Sequence, residues 1–336
     1  MHIDIVVESK VGAAQFKELG LLAEELGFHR IWIQNYAQSP DAFLTAMPLA
    51  LATQKIRIGV AVVSSYELHP LKIANSVLTL NEAAQGRAAV VVTGGGEWPS
   101  VMKVNYGKRK TVLYEALEII RQACGDDVVK FSGEIHNAQA FSTSWTTQNP
   151  PLIYAGVNGP SMARMAVGVA DGIMMSDVQP EMFNWSIPIL EKSIIEAGRA
   201  NDNFRLNNFL SWHVKQDREE SFRESRRELI IRAWLGRRWI EPFLDSDAVE
   251  TVRANMDKFM QAYMDRSGDI KGIAPEIIDA LVEGLMCSGD LSDMDRHIER
   301  LIKFQAAGFT EIALGLQDDP ADSMRMIAEH VLPAMH

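Results

Sequence analysis

Residues 69–96, HPLKIANSVLTLNEAAQGRAAVVVTGGG, constrain this chain more than any other stretch. They read in order as a loop ending in His-Pro, an amphipathic helix, a Gly-Arg turn, a strand of almost pure Val and Ala, and three glycines. A helix feeding a strand with no polar alternation marks a parallel sheet covered on both faces. In barrels and open sheets of that kind, ligands sit at the C-terminal ends of the strands. Gly94, Gly95 and Gly96 stand at that end. With no Cβ in the way, a planar or phosphorylated ligand can touch the backbone there directly.

The rest of the chain repeats the same alternation. Short apolar runs at residues 3–7, 30–34, 56–63, 88–93, 152–156, 172–175, 210–214 and 311–316 read as strands. Helical patterns lie between them. One near 13–26 stops at Gly27, the residue expected after a helix end. A second is capped by Asp41 and carries Phe43, Leu44, Met47 and Leu51 on one apolar face. A third, 110–124, turns Val112, Leu113, Leu117 and Ile120 inward, and 125–149 reads as an irregular excursion with a small hairpin around Gly133. Eight strand-helix units close naturally into a (β/α)8 TIM barrel, of class α/β. The rhythm breaks once, between the seventh and eighth strands, where residues 236–289 form a Trp- and Met-rich helical insertion. After strand seven it falls on the catalytic face, as a lid or wall, with a subunit interface the alternative.

Composition narrows the function. A formal net charge of -11 argues against nucleic acid as a partner, which needs clustered Lys and Arg. The opening MHIDIVVESK lacks the pattern of a secretory signal, and no apolar run reaches membrane-spanning length. The two cysteines, Cys124 and Cys287, show no ligand spacing and read as small buried hydrophobes, so no metal is expected. A cytoplasmic, reduced protein acting on a small molecule is the expectation, with no membrane partner.

Three segments together carry a resemblance. They are 69–96, quoted above, 151–176, PLIYAGVNGPSMARMAVGVADGIMMS, and 292–316, SDMDRHIERLIKFQAAGFTEIALGL. Their order and spacing are similar to the bacterial-luciferase-like flavin and deazaflavin oxidoreductases, which are single (β/α)8 barrels. Within that superfamily the chain resembles the branch that uses coenzyme F420. That branch has Gly-x-Gly and a carboxylate after strand four, matched by Gly94, Gly95, Gly96 and Glu97. The resemblance implies one barrel domain over residues 1–336, a homodimer, and hydride transfer between F420 and a small substrate. The Trp- and Met-rich insertion suggests an apolar one, such as a ketone, alcohol or enone. FMN with monooxygenase chemistry is the alternative, and a non-catalytic flavin-binding protein a second.

Site residues follow from the same resemblance. The cofactor's tail falls to Val157, Asn158, Gly159, Ser161 and Met162, and the strand end beside it supplies Ser176. Asn158-Gly159-Pro160-Ser161 also reads, on its own chemistry, as a helix start able to bind an anion, or as a plain capped helix. A non-prolyl cis peptide is implied at Ala61-Val62, with Ser64 toward the ring's polar edge. Asn35 and Tyr36 occupy the place of an Asp-His pair, and that departure counts against a sugar phosphate as substrate. Glu97 is the first candidate for the proton donor, with Tyr36 and His213 behind it. Trp98, Trp234 and Trp239 are candidate walls of the site, while His69, Arg87 and Asp171 read as structural.

Overall fold

The computed structural model describes residues 1–8, 10–200 and 203–335. The barrel strands are β1 (His2–Val7), β2 (Arg30–Gln34), β3 (Arg57–Ser64), β4 (Ala88–Thr93), β7 (Leu152–Gly156), β8 (Gly172–Ser176), β9 (Arg205–Trp212) and β10 (Glu311–Leu316). They close in the order β1-β10-β9-β8-β7-β4-β3-β2, and all neighbours pair in parallel. Val and Ile dominate these runs because both faces of each strand are covered. The expected hairpin is present: β5 (Val129–Ser132) and β6 (Asn137–Phe141) pair antiparallel across a turn that contains Gly133.

The strands are joined by α1 (Ala13–Leu26), α2 (Ala42–Ala52), α3 (Pro70–Ala83), α4 (Trp98–Val101), α5 (Arg109–Ala123), α6 (Pro160–Val167) and α7 (Phe183–Glu196). After β9 come α8 (Arg218–Glu228), α9 (Arg237–Ile240), α10 (Ser246–Ala254), α11 (Met256–Met264), α12 (Pro275–Leu285) and α13 (Met294–Ala306), and α14 (Pro320–His330) follows β10. Gly27 ends α1 at φ 86°, a conformation that costs glycine nothing. Pro opens α3, α6, α12 and α14, where its missing N–H would have no helical partner. No helix among the described residues is long and apolar enough to cross a membrane.

Two expectations need correction. In α2, Phe43 is buried with Ala46, Leu49 and Ala50, but Leu44 and Leu51 are 71% and 72% exposed. The reason lies in α1: a Cβ on Gly20 would meet Leu49 Cδ2 at 2.2 Å, so the helix turns to seat Leu49 in that notch. The seventh strand begins at Arg205, five residues before the apolar run that announces it. Its opening Asn207 and Asn208 are both fully buried and both hydrogen-bonded, so polarity there does not mean loop.

Inside the barrel the side chains stack in layers. Val6, Trp32, Ala61, Ala89, Val91, Tyr154, Met174 and Ala313 form an apolar middle, with Val62 and Phe209 packed against it. Gly59 and Gly315 make room: a Cβ on either would overlap the rings of Trp32 and Phe209. Below, at the N-terminal end, lies a buried polar floor. Arg30 donates to Asp4 at 3.0 Å and Glu311 at 3.1 Å, and Asn207 donates to both carboxylates at 3.2 and 3.1 Å. Trp32 Nε1 and the Tyr154 hydroxyl bond Asp4 and Glu311 from above. The barrel is therefore closed beneath, and a site can open only at the C-terminal end.

Candidate active site

β2 delivers Asn35 and Tyr36 to the C-terminal rim. The Asn35 N–H donates to Ala61 O at 3.0 Å and its side-chain Nδ2 to Val62 O at 3.2 Å. Between those carbonyls the Ala61–Val62 peptide bond is cis, and the β3–β4 register slips between Ala61 and Val63. Asn35 thus clasps the bulge of β3 from both sides. Ser64 is buried and its hydroxyl accepts the Tyr66 N–H at 3.2 Å, which commits it to the following loop.

Opposite the bulge, β4 ends in Gly94, Gly95 and Gly96. A Cβ on Gly94 would stand 3.0 Å from Arg109 O and 3.4 Å from Met162 Cε, so this glycine permits the approach of α5 and α6. Gly95 faces open space, and Gly96 takes φ 105°, a conformation suited to glycine. The start of α6 is also open: Gly159 caps it with no side-chain bond and has nothing near its missing Cβ. The N–H groups of Ser161 and Met162 lie in the first turn, which has no helical acceptors, and this is where a helix receives an anion. Asn158 caps nothing. Its carboxamide bonds Ser176 twice, accepting from the N–H at 2.8 Å and donating to the carbonyl at 3.2 Å, which ties β7 to β8. Val157 is buried at the same strand end.

Glu97 follows the glycines and is exposed. Its Oε2 accepts the N–H of Ala37 at 2.8 Å, which fixes the carboxylate beside Tyr36. Burial pushes the Tyr36 hydroxyl above its ordinary pKa, Arg232 opposes that shift, and Tyr263, Glu228 and Glu97 add to it. Tyr36 therefore stays protonated at neutral pH and can donate a hydrogen bond. Tyr263 comes from α11 and Glu228 from α8, so the segment after β9 reaches the rim.

That segment brings a group that no sequence motif announces. Arg232 pairs with Asp177 at 3.1 Å, donates to the Ser211 hydroxyl and lies 5.3 Å over the Phe209 ring. Asp177 also accepts the Ala233 N–H at 3.1 Å and the Ser176 hydroxyl at 2.9 Å. Ala233, Trp234 and Leu235 all have positive φ, at 45°, 53° and 44°. Such residues cost on the order of 1–3 kcal/mol each and persist where surroundings enforce them. The Asp177 clamp is one enforcing contact, and it leaves Trp234 62% exposed.

Not every candidate reaches this rim. His213 is fully buried, its Nδ1 2.7 Å from Glu224 and its N–H bonded to Cys287 O. The strand end turns it into a closed pair with α8, so it is no donor to the opening. Trp239 stands edge-on to Trp185 with centroids 5.7 Å apart, while Trp98 is half-buried in α4. His69 caps α3, Arg87 bonds Thr53 and Ile56 carbonyls, and Asp171 accepts the Ile153 N–H, all structural contacts. Both cysteines are raised by burial, Cys124 to about 12. Among the described residues no group of three or more His, Cys, Asp or Glu is arranged to hold a metal.

The chain is similar to a 5,10-methylenetetrahydromethanopterin reductase of Archaeoglobus fulgidus, 27% identical over 94% of this chain and 93% of that one. It is 23% identical to an F420-dependent glucose-6-phosphate dehydrogenase of Microbacterium testaceum, over 96% and 94% of the two chains. Its fold matches the coenzyme F420-dependent tetrahydromethanopterin reductase of Methanopyrus kandleri with a TM-score of 0.85, at 19% identity, covering 100% of this chain and 99% of that one. The luciferase-like monooxygenase family model matches residues 2–311, and with that span nearly the whole barrel is accounted for: the chain belongs to this family.

Proposed function

We propose that the chain is a coenzyme F420-dependent oxidoreductase that transfers a hydride between the deazaflavin and a small, uncharged, largely apolar substrate. One observation carries the reading. Glu97, directly after the glycine tip, is fixed by the Ala37 N–H beside Tyr36, so a carboxylate and a neutral phenol share the rim above open backbone. When bound, F420 supplies a two-electron hydride carrier at its ring C5. The chain's residues fit such a group and divide the remaining work. Gly95 and Gly159 leave room for it, and the Ser161 and Met162 N–H groups receive its anionic tail. Val62, held in the bulge by Asn35, offers the ring an apolar shelf. Tyr36 holds a proton beside the substrate heteroatom, and the Glu97 carboxylate next to it takes up or returns one.

The charges nearby favour a neutral substrate. Arg232 is paired with Asp177, and Arg266 with Glu228 at 3.3 Å, so the cations closest to the two tyrosines are already committed. An anionic substrate would have to break a pair to gain one. The F420 use named for the relatives supports the cofactor; their pterin and sugar-phosphate chemistry is their own.

The deciding test titrates the apo-protein with oxidised F420 and, separately, with FMN, read by fluorescence. Micromolar or tighter F420 binding with weak FMN binding is expected. Preference for FMN would replace this reading with the monooxygenase one, and binding of neither would leave the barrel alone. The reading includes a homodimer, for which Leu44 and Leu51, bare on α2 with Met47 between them, offer an apolar surface. Light scattering should then give twice the chain mass of 37.4 kDa, and Leu44→Asp with Leu51→Asp should halve it. A wild-type protein that runs as a monomer removes the dimer.

A further inference from the structure

Glu67 lies in the loop between β3 and α3, outside every motif of the sequence. Its Oε1 accepts Asn35 Nδ2 at 2.7 Å, and the same nitrogen donates to Val62 O at 3.2 Å. A carboxamide nitrogen has two hydrogens, and both are spent on these acceptors. Turning the amide over would set Oδ1 against a carboxylate and a carbonyl, so the contacts fix one orientation. Oδ1 then has no partner among the described residues, and Asn35 is only half-buried. Within the Asn35 carboxamide, both hydrogens are committed and only this oxygen is left to meet a ligand.

We propose that Glu67 is a positioning residue for the cofactor: through Asn35 Nδ2 it presents Asn35 Oδ1 as a pure acceptor, selecting a ring edge that donates, such as an imide N–H. The proposal rests on the F420 reading and adds a specificity determinant to it. The charge of Asp41, at the start of α2, acts on the Glu67 carboxyl. Burial first, and Asp41 in addition, push Glu67 up to about 7, against hydrogen bonds from Asn35 and the Ser64 N–H. Above that pH the carboxylate can only accept, and the Asn35 amide is locked. Below it the new O–H can donate to Oδ1, and the lock loosens.

The test is fluorescence titration of oxidised F420 into wild type, E67Q, E67L, N35A and the E67L/N35A double variant, at about pH 6 and about pH 8, either side of the titration. Loss of one hydrogen-bonded orientation should weaken binding about tenfold in E67L. E67L should add nothing on the N35A background, since Glu67 acts through Asn35. E67Q keeps an acceptor that does not titrate. The ratio of wild-type to E67Q affinity should therefore rise from the lower to the higher pH, and the coenzyme's own ionisation cancels in that ratio. A residue that merely supports the loop would change thermal stability and leave the ratio flat. Binding by E67L within twofold of wild type, additivity with N35A, or a flat ratio overturns the proposal. If E67L does not fold, the E67Q ratio decides alone. A wild type that binds no F420 at either pH overturns the functional reading and this proposal together; failure of the proposal alone leaves wild-type binding intact.

Discussion

Glu97→Gln should lower kcat by about two to three orders of magnitude, the usual contribution of a positioned acid or base. Glutamine keeps an oxygen to accept the Ala37 N–H, so the loop should hold its shape and F420 affinity should stay within about threefold. The separation matters. A loss confined to kcat assigns the carboxylate to the reacting centre, whereas a matching loss of cofactor binding would make it a strut of the glycine tip. Single-turnover reduction of F420 by a substrate, once one is found among ketone-alcohol pairs, isolates the chemical step. A kcat within fivefold of wild type would remove Glu97 from the role of proton donor.

Arg30→Leu should destabilise the protein by about 3–5 kcal/mol, the range for removing one partner of a buried ion pair. Arg30 is fully buried between Asp4 and Glu311, and its loss leaves two carboxylates facing each other in the barrel. The pH dependence should change sign as well. Burial alone would raise the Asp4 pKa, but Arg30 and hydrogen bonds from His29 and Trp32 outweigh it and hold the carboxyl below its ordinary value. A lowered folded pKa contributes stability that is present above the unfolded pKa and is lost as pH falls through the folded one. Wild type should therefore weaken on acidification below about pH 4. The variant, with its carboxylates raised instead, should gain relative stability as pH falls from neutral. Urea unfolding at neutral pH, at about pH 5 and at about pH 3 measures both effects. A loss under about 1 kcal/mol at neutral pH would mean the floor relaxes around the missing guanidinium.

The barrel was readable because its strands announce themselves. The Val-Ala run of β4, the Ile-Trp-Ile of β2 and the glycines at strand ends each report a local demand that one residue type meets. The hairpin turn at Gly133 is local in the same sense. Helix faces were less secure: Leu44 and Leu51 look inward by periodicity, yet the notch at Gly20 decides which side of α2 is buried. The start of β9 was hidden for a related reason. Asn207 is buried only because Asp4 and Glu311, more than a hundred residues away on either side, accept its hydrogen bonds.

The site divides along the same line. Glu97 and Asn158 stand next to glycine motifs and could be named, although Asn158 serves as a brace between β7 and β8. Glu67, Asp177 and Arg232 could not, since their chemistry exists only after folding brings Glu67 to Asn35 and Arg232 to Asp177. His213 failed in the opposite direction. A histidine on a late strand reads as a proton donor until its partner, Glu224, is found to enclose it.

The polar floor has a kinetic consequence. A vessel stoppered at its base by Arg30, Asp4, Glu311 and Asn207 has a single doorway, so entry and exit share one route. If two molecules stack at that opening, the deeper one is expected to arrive first and depart last, an order that product-inhibition patterns would reveal.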